Sequence, residues 1–286
     1  MNRQKRVAAI HDISGFGKCS LTVALPVISA AGIETSVMPT AVLSTHTGGF
    51  TGYTYRDLTQ DLLPFATHWQ ENAFHFDAIY SGFLGSNEQI HIVGKIFDMI
   101  SAEDTIKIVD PAMADNGKMY VIFNKEFALN MAELCKKADI IVPNFTEAAF
   151  MLGEDYVKPP YTKEYVEGLC RRLSEKCDCN VVLTGVCFDE KSLGAAAYDK
   201  NTGIIEYALT DRIEGAYHGT GDVFASVLTA AIVKGKSMKD SITLAAEYVK
   251  DCIIRTQKSP NPIKYGVDFE RGLVELSFAL RTDDDI

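Results

Sequence analysis

The chain has 286 residues, 47% of them hydrophobic, with a formal net charge of -10 at pH 7. That is apolar material for one large core, and no window approaches the run of about 18 apolar residues that a membrane span needs. The acidic balance, without a long basic run, argues against nucleic acid or an anionic membrane as a partner.

The chain opens on MNRQKRVAAIHD, which is basic, but its apolar run covers only residues 7–10. That is too short for a signal-peptide core, and no small-residue cleavage site follows. The seven cysteines are odd in number, so reduced thiols in the cytoplasm are expected. Cys177 and Cys179 lack the second pair that a structural zinc site needs and are read as small side chains at a helix end.

Strand-like and helix-like stretches then alternate. Residues 6–10, 34–43, 76–82, 106–111, 139–144 and 180–185 are short, rich in β-branched residues and bounded by Gly, Pro, Asn or Asp. Such continuous apolar runs suit parallel strands buried on both faces. Residues 87–101 and 162–176 carry apolar side chains at helical spacing. After residue 190 the pattern predicts an antiparallel hairpin turning at Asn201, Thr202 and Gly203. Three helices are predicted to finish the chain, near 220–235, 237–257 and 268–280. No linker, repeat or low-complexity segment interrupts it. The expectation is one α/β/α sandwich over residues 1–286 around a mostly parallel sheet, with a solvated acidic tail at 281–286. Ligands collect at the carboxyl ends of such strands. Asp12, Thr45, Ser81, Asp110, Asn144 and Thr184 all close or follow a predicted strand.

Four stretches carry chemistry. HGTGD, residues 218–222, opens the predicted helix at 220. Gly219 and Gly221 permit a sharp turn and close backbone approach to a ligand. Free N–H groups at a helix start bind phosphate oxygens, and Asp222 in the first turn is placed to take a proton from a hydroxyl. The plainer reading is a turn with an ordinary cap. IVDPAMADNGKMYV, residues 108–121, sets Asp110 and Asp115 after a strand, a spacing that suits a magnesium–phosphate site, or turn-forming aspartates. In IVPNFTEAAFML, residues 141–152, Asn144 and Glu147 also read as a capping box. STHTGGFTGY, residues 44–53, reads as a cover over a ring-shaped substrate, or a surface loop.

Taken in order, LSTHTGGFTG, SGFLGS, DPAMAD with its following tyrosine, PNFTEA and GTGDVFAS resemble the pyridoxal/pyridoxamine kinase branch of the ribokinase superfamily, over about residues 7–255. The Gly-Thr-Gly-Asp motif marks only the superfamily; the His46-Thr47 loop and SGFLGS point to the vitamin B6 branch. The resemblance implies a single α/β/α domain, a homodimer, and ATP with a magnesium ion, with a monovalent cation as a further candidate. It makes Asp222 the base that deprotonates the 5′-hydroxymethyl group, and Gly219, Thr220 and Gly221 the anion hole. Thr47, with His46 beside it, would contact the pyridine ring substituents, and Tyr120 would belong to the loop over the phosphates. Asp110 and Glu147 would lie near the ATP phosphates and magnesium, with Val142, Asn144 and Thr184 on the nucleotide side. His218 is a further candidate for substrate contact.

One position departs from the pattern. Asp12 stands where the family's first strand ends in a serine against the pyridine ring. A carboxylate there can pair with a protonated ring nitrogen or an amine, so a preference for pyridoxamine or pyridoxine is expected. The nearest alternative is a hydroxymethylpyrimidine kinase, whose substrate is also a flat nitrogen ring with a hydroxymethyl group. A sugar kinase fits less well for want of inserted lid strands, and retention of Asp222 argues against a non-catalytic B6-binding protein. From another class, Gly15-x-Gly17-x-x-Ser20 after a strand, with Glu34 downstream, approaches a dinucleotide fingerprint and so a nicotinamide-dependent dehydrogenase. A Walker phosphate loop and protein-kinase signatures are absent.

Overall fold

The computed structural model describes residues 3–261 and 263–281. The acidic tail beyond Arg281 lies outside the described residues. The strands are β1 (Arg6–Ser14), β2 (Glu34–Leu43), β3 (Tyr55–Asp57), β4 (Ala78–Ser81), β5 (Ile106–Val109), β6 (Ala114–Asp115), β7 (Lys118–Met119), β8 (Ile140–Ile141), β9 (Asn180–Val186), β10 (Ser192–Tyr198) and β11 (Ile205–Asp211). The helices are α1 (Leu21–Ala30), α2 (Thr59–Glu71), α3 (Asn87–Ile100), α4 (Lys125–Cys135), α5 (Phe145–Leu152), α6 (Lys163–Cys177), α7 (Thr220–Val233), α8 (Met238–Gln257) and α9 (Leu273–Leu280).

One sheet runs in the order β11-β10-β9-β8-β5-β4-β1-β2-β3. From β2 through β9 every neighbour is parallel, and β3, β10 and β11 add antiparallel edges. Helices cover both faces. One core layer joins the sheet to α2 through α6, and the other joins it to α1, α7, α8 and α9. This is the expected sandwich, and none of the helices described is long and apolar enough to cross a membrane.

Connections from β1 run to β2 on one side, whereas β4, β5, β8 and β9 build outward on the other. The order therefore reverses at β1, and a crevice opens at the carboxyl ends of the strands there. β4 stops pairing with β1 at Ile10 and Ser81, while β1 continues to Ser14 along β2. The β1–β2 register slips between His11 and Ile13, opposite Thr40 and Ala41. Asp12 sits at this irregularity, beyond the end of β4. Such bulges commonly re-aim a side chain at an active site.

Several boundaries differ from the sequence reading. The strand predicted over 139–144 is two residues long, because Pro143 cannot donate to a ladder and Asn144 already caps α5. β3 and the small β6–β7 hairpin were not predicted. The hairpin did have a signal: Asn116-Gly117 takes positive φ at both residues, 51° and 76°, the backbone of a two-residue type I′ turn.

Candidate active site

The first turn of α7 lies at the crevice, as HGTGD predicts. Gly219 is the N-cap with φ 80°, and no side chain caps this helix. A Cβ at Gly219 would lie 2.0 Å from the carbonyl oxygen of Lys18. Gly219 is thus a fold requirement: the chain passes too close to the β1–α1 loop for any side chain. Gly221 is different. A Cβ there would meet nothing within 4 Å, so this residue borders open space.

Asp222 is half-buried, partly reached by solvent at the crevice. Burial, reinforced by the charge of Asp12, pushes its pKa up to about 7, against the opposing pull of the Ser20 and Asp222 backbone N–H groups. Asp12 is buried, and desolvation raises its pKa although Ser20 and Ser14 hydroxyls favour its charged form; Ser14 Oγ donates to Asp12 Oδ2 at 3.3 Å. Ser20, which touches both aspartates, has φ 56° and ψ -131°. A serine in that region is strained, and such strain clusters at functional sites. Ser14 has no sequence signal, and Ser20 had one only as part of a dinucleotide-like stretch, not for its contacts with Asp12 and Asp222. Cys19 is close enough for Asp222 and Asp12 to push its thiol further up beyond the effect of burial, which leaves it a poor nucleophile.

Across the crevice stand Asp110 and Glu147. Asp110 is buried at 8% exposure, and its carboxyl has no hydrogen bond among the described residues. Burial raises its pKa strongly, and the charges of Glu147 and Asp222 raise it further. Glu147 is pushed up to about 8 by burial, opposed by backbone N–H groups. Met113 N–H donates to Glu147 Oε1 at 3.1 Å, and Asn144 N–H to Oε2 at 2.8 Å. In return Asn144 Oδ1 accepts from Thr146 N–H and Glu147 N–H, closing a capping box. The plainer reading of Asn144 and Glu147 is therefore realised. Glu147 nevertheless faces Asp110, while Asn144 spends its amide on Ala114 O at 2.8 Å.

Other expectations are corrected. Val142 is buried in the α7-side core and its N–H donates to Val109 O, so it offers no side chain to a nucleotide. Asp115 does not join Asp110 in a ligand pair. It is exposed, and its carboxylate accepts from the N–H and amide of Asn116 in its own turn. His46 is buried, with Nε2 2.9 Å from Lys264 O while Nδ1 accepts from Gly48 N–H. Both ring nitrogens serve the backbone, so His46 holds the loop and has none left for substrate.

That loop is a cover fixed by long-range contacts. Phe50 stacks at 6.2 Å on Tyr265, which meets Phe16 edge-on at 4.9 Å. The His218 ring lies against Gly48, where a Cβ would come within 2.6 Å. Thr47 is exposed in this cover, and its side chain makes no hydrogen bond among the described residues. The His46 ring also fills the position of a Cβ on Gly17, at 2.0 Å. The side of Gly17 that a close ligand would need is filled by the protein itself, which weighs against the dehydrogenase reading. Tyr120 follows β7 as a 41% exposed residue, and Glu147, Asp110, Asp115 and Asp222 all act on its phenol. Thr184 is half-buried, its hydroxyl 3.4 Å from Pro143 O. Tyr55, unflagged by the sequence, edges the crevice, its pKa raised to about 12 by burial and by Asp57 and Asp12.

A crevice at the topological switch, a capless glycine helix start and a cluster of carboxylates lie on a ribokinase-like fold. The profile of the phosphomethylpyrimidine kinase family matches residues 24–266, and the chain belongs to that family. A crystal structure from Bacteroides thetaiotaomicron, of a proposed phosphomethylpyrimidine kinase in a form with pyridoxal, is 34% identical, covers 96% of each chain and superposes with a TM-score of 0.91. Pyridoxal kinase from Lactobacillus plantarum is 27% identical over 96% of this chain and 97% of its own, with a TM-score of 0.87. A proposed pyridoxine kinase from Staphylococcus aureus is 27% identical over 179 residues, 62% of each chain. The match thus spans somewhat less than two thirds of that relative's length.

Proposed function

We propose that the chain, as one kinase domain over residues 1–286, transfers the γ-phosphoryl group of ATP to the 5′-hydroxymethyl group of a B6 vitamer. The observation that carries this is Asp222: a half-buried carboxyl whose desolvation lifts its pKa to about 7, in the first turn of a capless helix. The Bacteroides relative's form with pyridoxal supports the acceptor class. Asp222 takes the proton from the acceptor hydroxyl as its oxygen attacks the γ-phosphorus. The N–H groups of Thr220 and Gly221 then donate to phosphoryl oxygens as charge builds on them. Tyr120 covers the phosphates.

Asp110 and Glu147 fit a magnesium ion. Asp110 is a buried residue whose carboxyl makes no hydrogen bond among the described residues, beside a second carboxyl. Among the described residues no three such side chains converge as a complete ligand set, which suits an ion that keeps waters and shares substrate phosphates. The ion would neutralise the phosphates that these carboxylates otherwise repel. A cytoplasmic location and a homodimer belong to the same reading, on the reduced thiols and the resemblance.

The family's own description favours a second reading, a kinase acting on hydroxymethylpyrimidine or its phosphate. Magnesium-dependent ADP release with pyridoxal, pyridoxamine, pyridoxine, hydroxymethylpyrimidine and ribose as acceptors separates the two. Turnover on a B6 vitamer is expected; turnover confined to the pyrimidine moves the protein to the second reading. Asp12→Ser is expected to raise kcat/KM for pyridoxal relative to pyridoxamine and pyridoxine. Unchanged ratios would remove Asp12 from substrate selection.

A further inference from the structure

Two loops at the carboxyl ends of the strands meet through one aromatic ring. The first is the turn between β7 and α4. Phe123 N–H donates to Tyr120 O at 2.9 Å, so one tight turn ties these two residues together. Their rings lie 6.3 Å apart. The turn is anchored on the Glu147 side: Tyr120 N–H donates to Met113 O, and Met113 N–H donates to Glu147 Oε1. At the other end Phe123 stacks on Phe127, with ring centroids 3.8 Å apart. Phe127 is buried, and its N–H is held by the side chain of Asn124 at the start of α4. It makes a fixed pivot.

The second loop is SGFLGS, between β4 and α3. Phe83 in this loop is half-buried and meets the Phe123 ring at 5.6 Å. The loop is pinned on both sides of Phe83. Gly82 N–H donates to Ile10 O, two residues before Asp12, and Gly85 N–H donates to Gln89 Oε1 at 2.7 Å. A push on Phe83 therefore acts on a ring held between two fixed points beside the strand end that carries Asp12. The tip of the first turn is apolar and stands in water: Val121 is fully exposed and Ile122 is 61% exposed. Any movement that covers these side chains is favoured.

We propose that Phe123 is a positioning residue that couples the two substrate sites. A nucleotide that engages Tyr120 shifts the turn, and Phe123 carries the shift to Phe83 and the acceptor loop. This rests on the reading that Tyr120 covers the phosphates. Coupling of this kind is reciprocal, so the acceptor tightens the nucleotide by the same factor.

Hydrogen exchange read by mass spectrometry tests it, with and without a non-hydrolysable ATP analogue and magnesium. Phe123→Leu keeps an apolar side chain and loses the ring; Phe123→Tyr keeps the ring. The analogue is expected to slow exchange over residues 113–120 in all three proteins. Over residues 82–86 it should slow exchange in wild type and Phe123→Tyr, and leave Phe123→Leu unchanged. In wild type the analogue should also tighten pyridoxal about fivefold or more, the lower end of usual coupling between sites, and Phe123→Leu should lose that gain. Protection of 82–86 that is absent from wild type, or that survives in Phe123→Leu, overturns the proposal. If only hydroxymethylpyrimidine is phosphorylated, the B6 reading fails, while the exchange pattern, which needs no acceptor, still decides the coupling.

Discussion

Asp222→Asn is expected to lower kcat by about 10²–10⁴-fold, the usual contribution of a positioned general base. KM for the B6 vitamer should change little, because the amide keeps the size and much of the hydrogen bonding of the carboxyl. The same residue sets the pH profile. A base must be deprotonated, and burial holds Asp222 near 7. The wild-type kcat/KM should therefore fall as pH drops through about 7, and residual activity in Asp222→Asn should lose that limb. Stability moves in the opposite direction. The folded pKa lies above the unfolded value of 3.8, so between those two pH values the native state binds more protons and loses stability as pH rises. At pH 8 the asparagine variant lacks this penalty, at most about 4 kcal/mol for three pKa units, and should melt higher than wild type. An inactive variant with lower Tm would mean that the loss is structural, and that Asp222 is not a strained base.

Gly219→Ala should be the most damaging of the small substitutions. Positive φ alone costs roughly 1–3 kcal/mol for a residue with a Cβ. The 2.0 Å approach to Lys18 O adds a backbone clash that only movement of the α7 start or the β1–α1 loop relieves. Either movement disturbs the N–H groups of Thr220 and Gly221, and loss of one such donor is worth about 10²–10³-fold in kcat. Both Tm and kcat are expected to fall. Gly221→Ala separates the two effects, because its Cβ meets no protein atom. Its Tm should hold or rise, since alanine favours a helix by up to about 1 kcal/mol over glycine, while KM for ATP rises. If Gly221→Ala turned over like wild type at every ATP concentration, the open space above α7 would not be where phosphate binds.

Much of this arrangement was legible in the chain. Continuous apolar runs marked β1, β2, β4, β5 and β9, because strands buried on both faces need no polar alternation. Helical spacing marked α3, α6, α7 and α8, and Asn201 to Gly203 marked the β10–β11 turn. The capping box at Asn144 and Glu147 was legible as well, being confined to a single helical turn. Other positions turn on packing that no local stretch reveals. Val142, set on the nucleotide side by the resemblance, lies in the core. His46 sits in a motif, yet its two nitrogens are taken by Gly48 and by Lys264 from far along the chain. Ser20 stood only in the fingerprint-like stretch; it matters because of its backbone angle and its two aspartate neighbours.

Residue order was enough to establish strand–helix alternation, a glycine-rich helix start with an acid in its first turn, and carboxylates after strands, because each is set by interactions within a few residues. Which carboxylates meet, and what proton affinity they have, was decided only by tertiary structure. Asp12, Asp110, Glu147 and Asp222 come from four elements that the sheet order brings to one crevice. The desolvation that lifts Asp222 to about 7 comes from the packing of those elements around it, and no local stretch of sequence contains it.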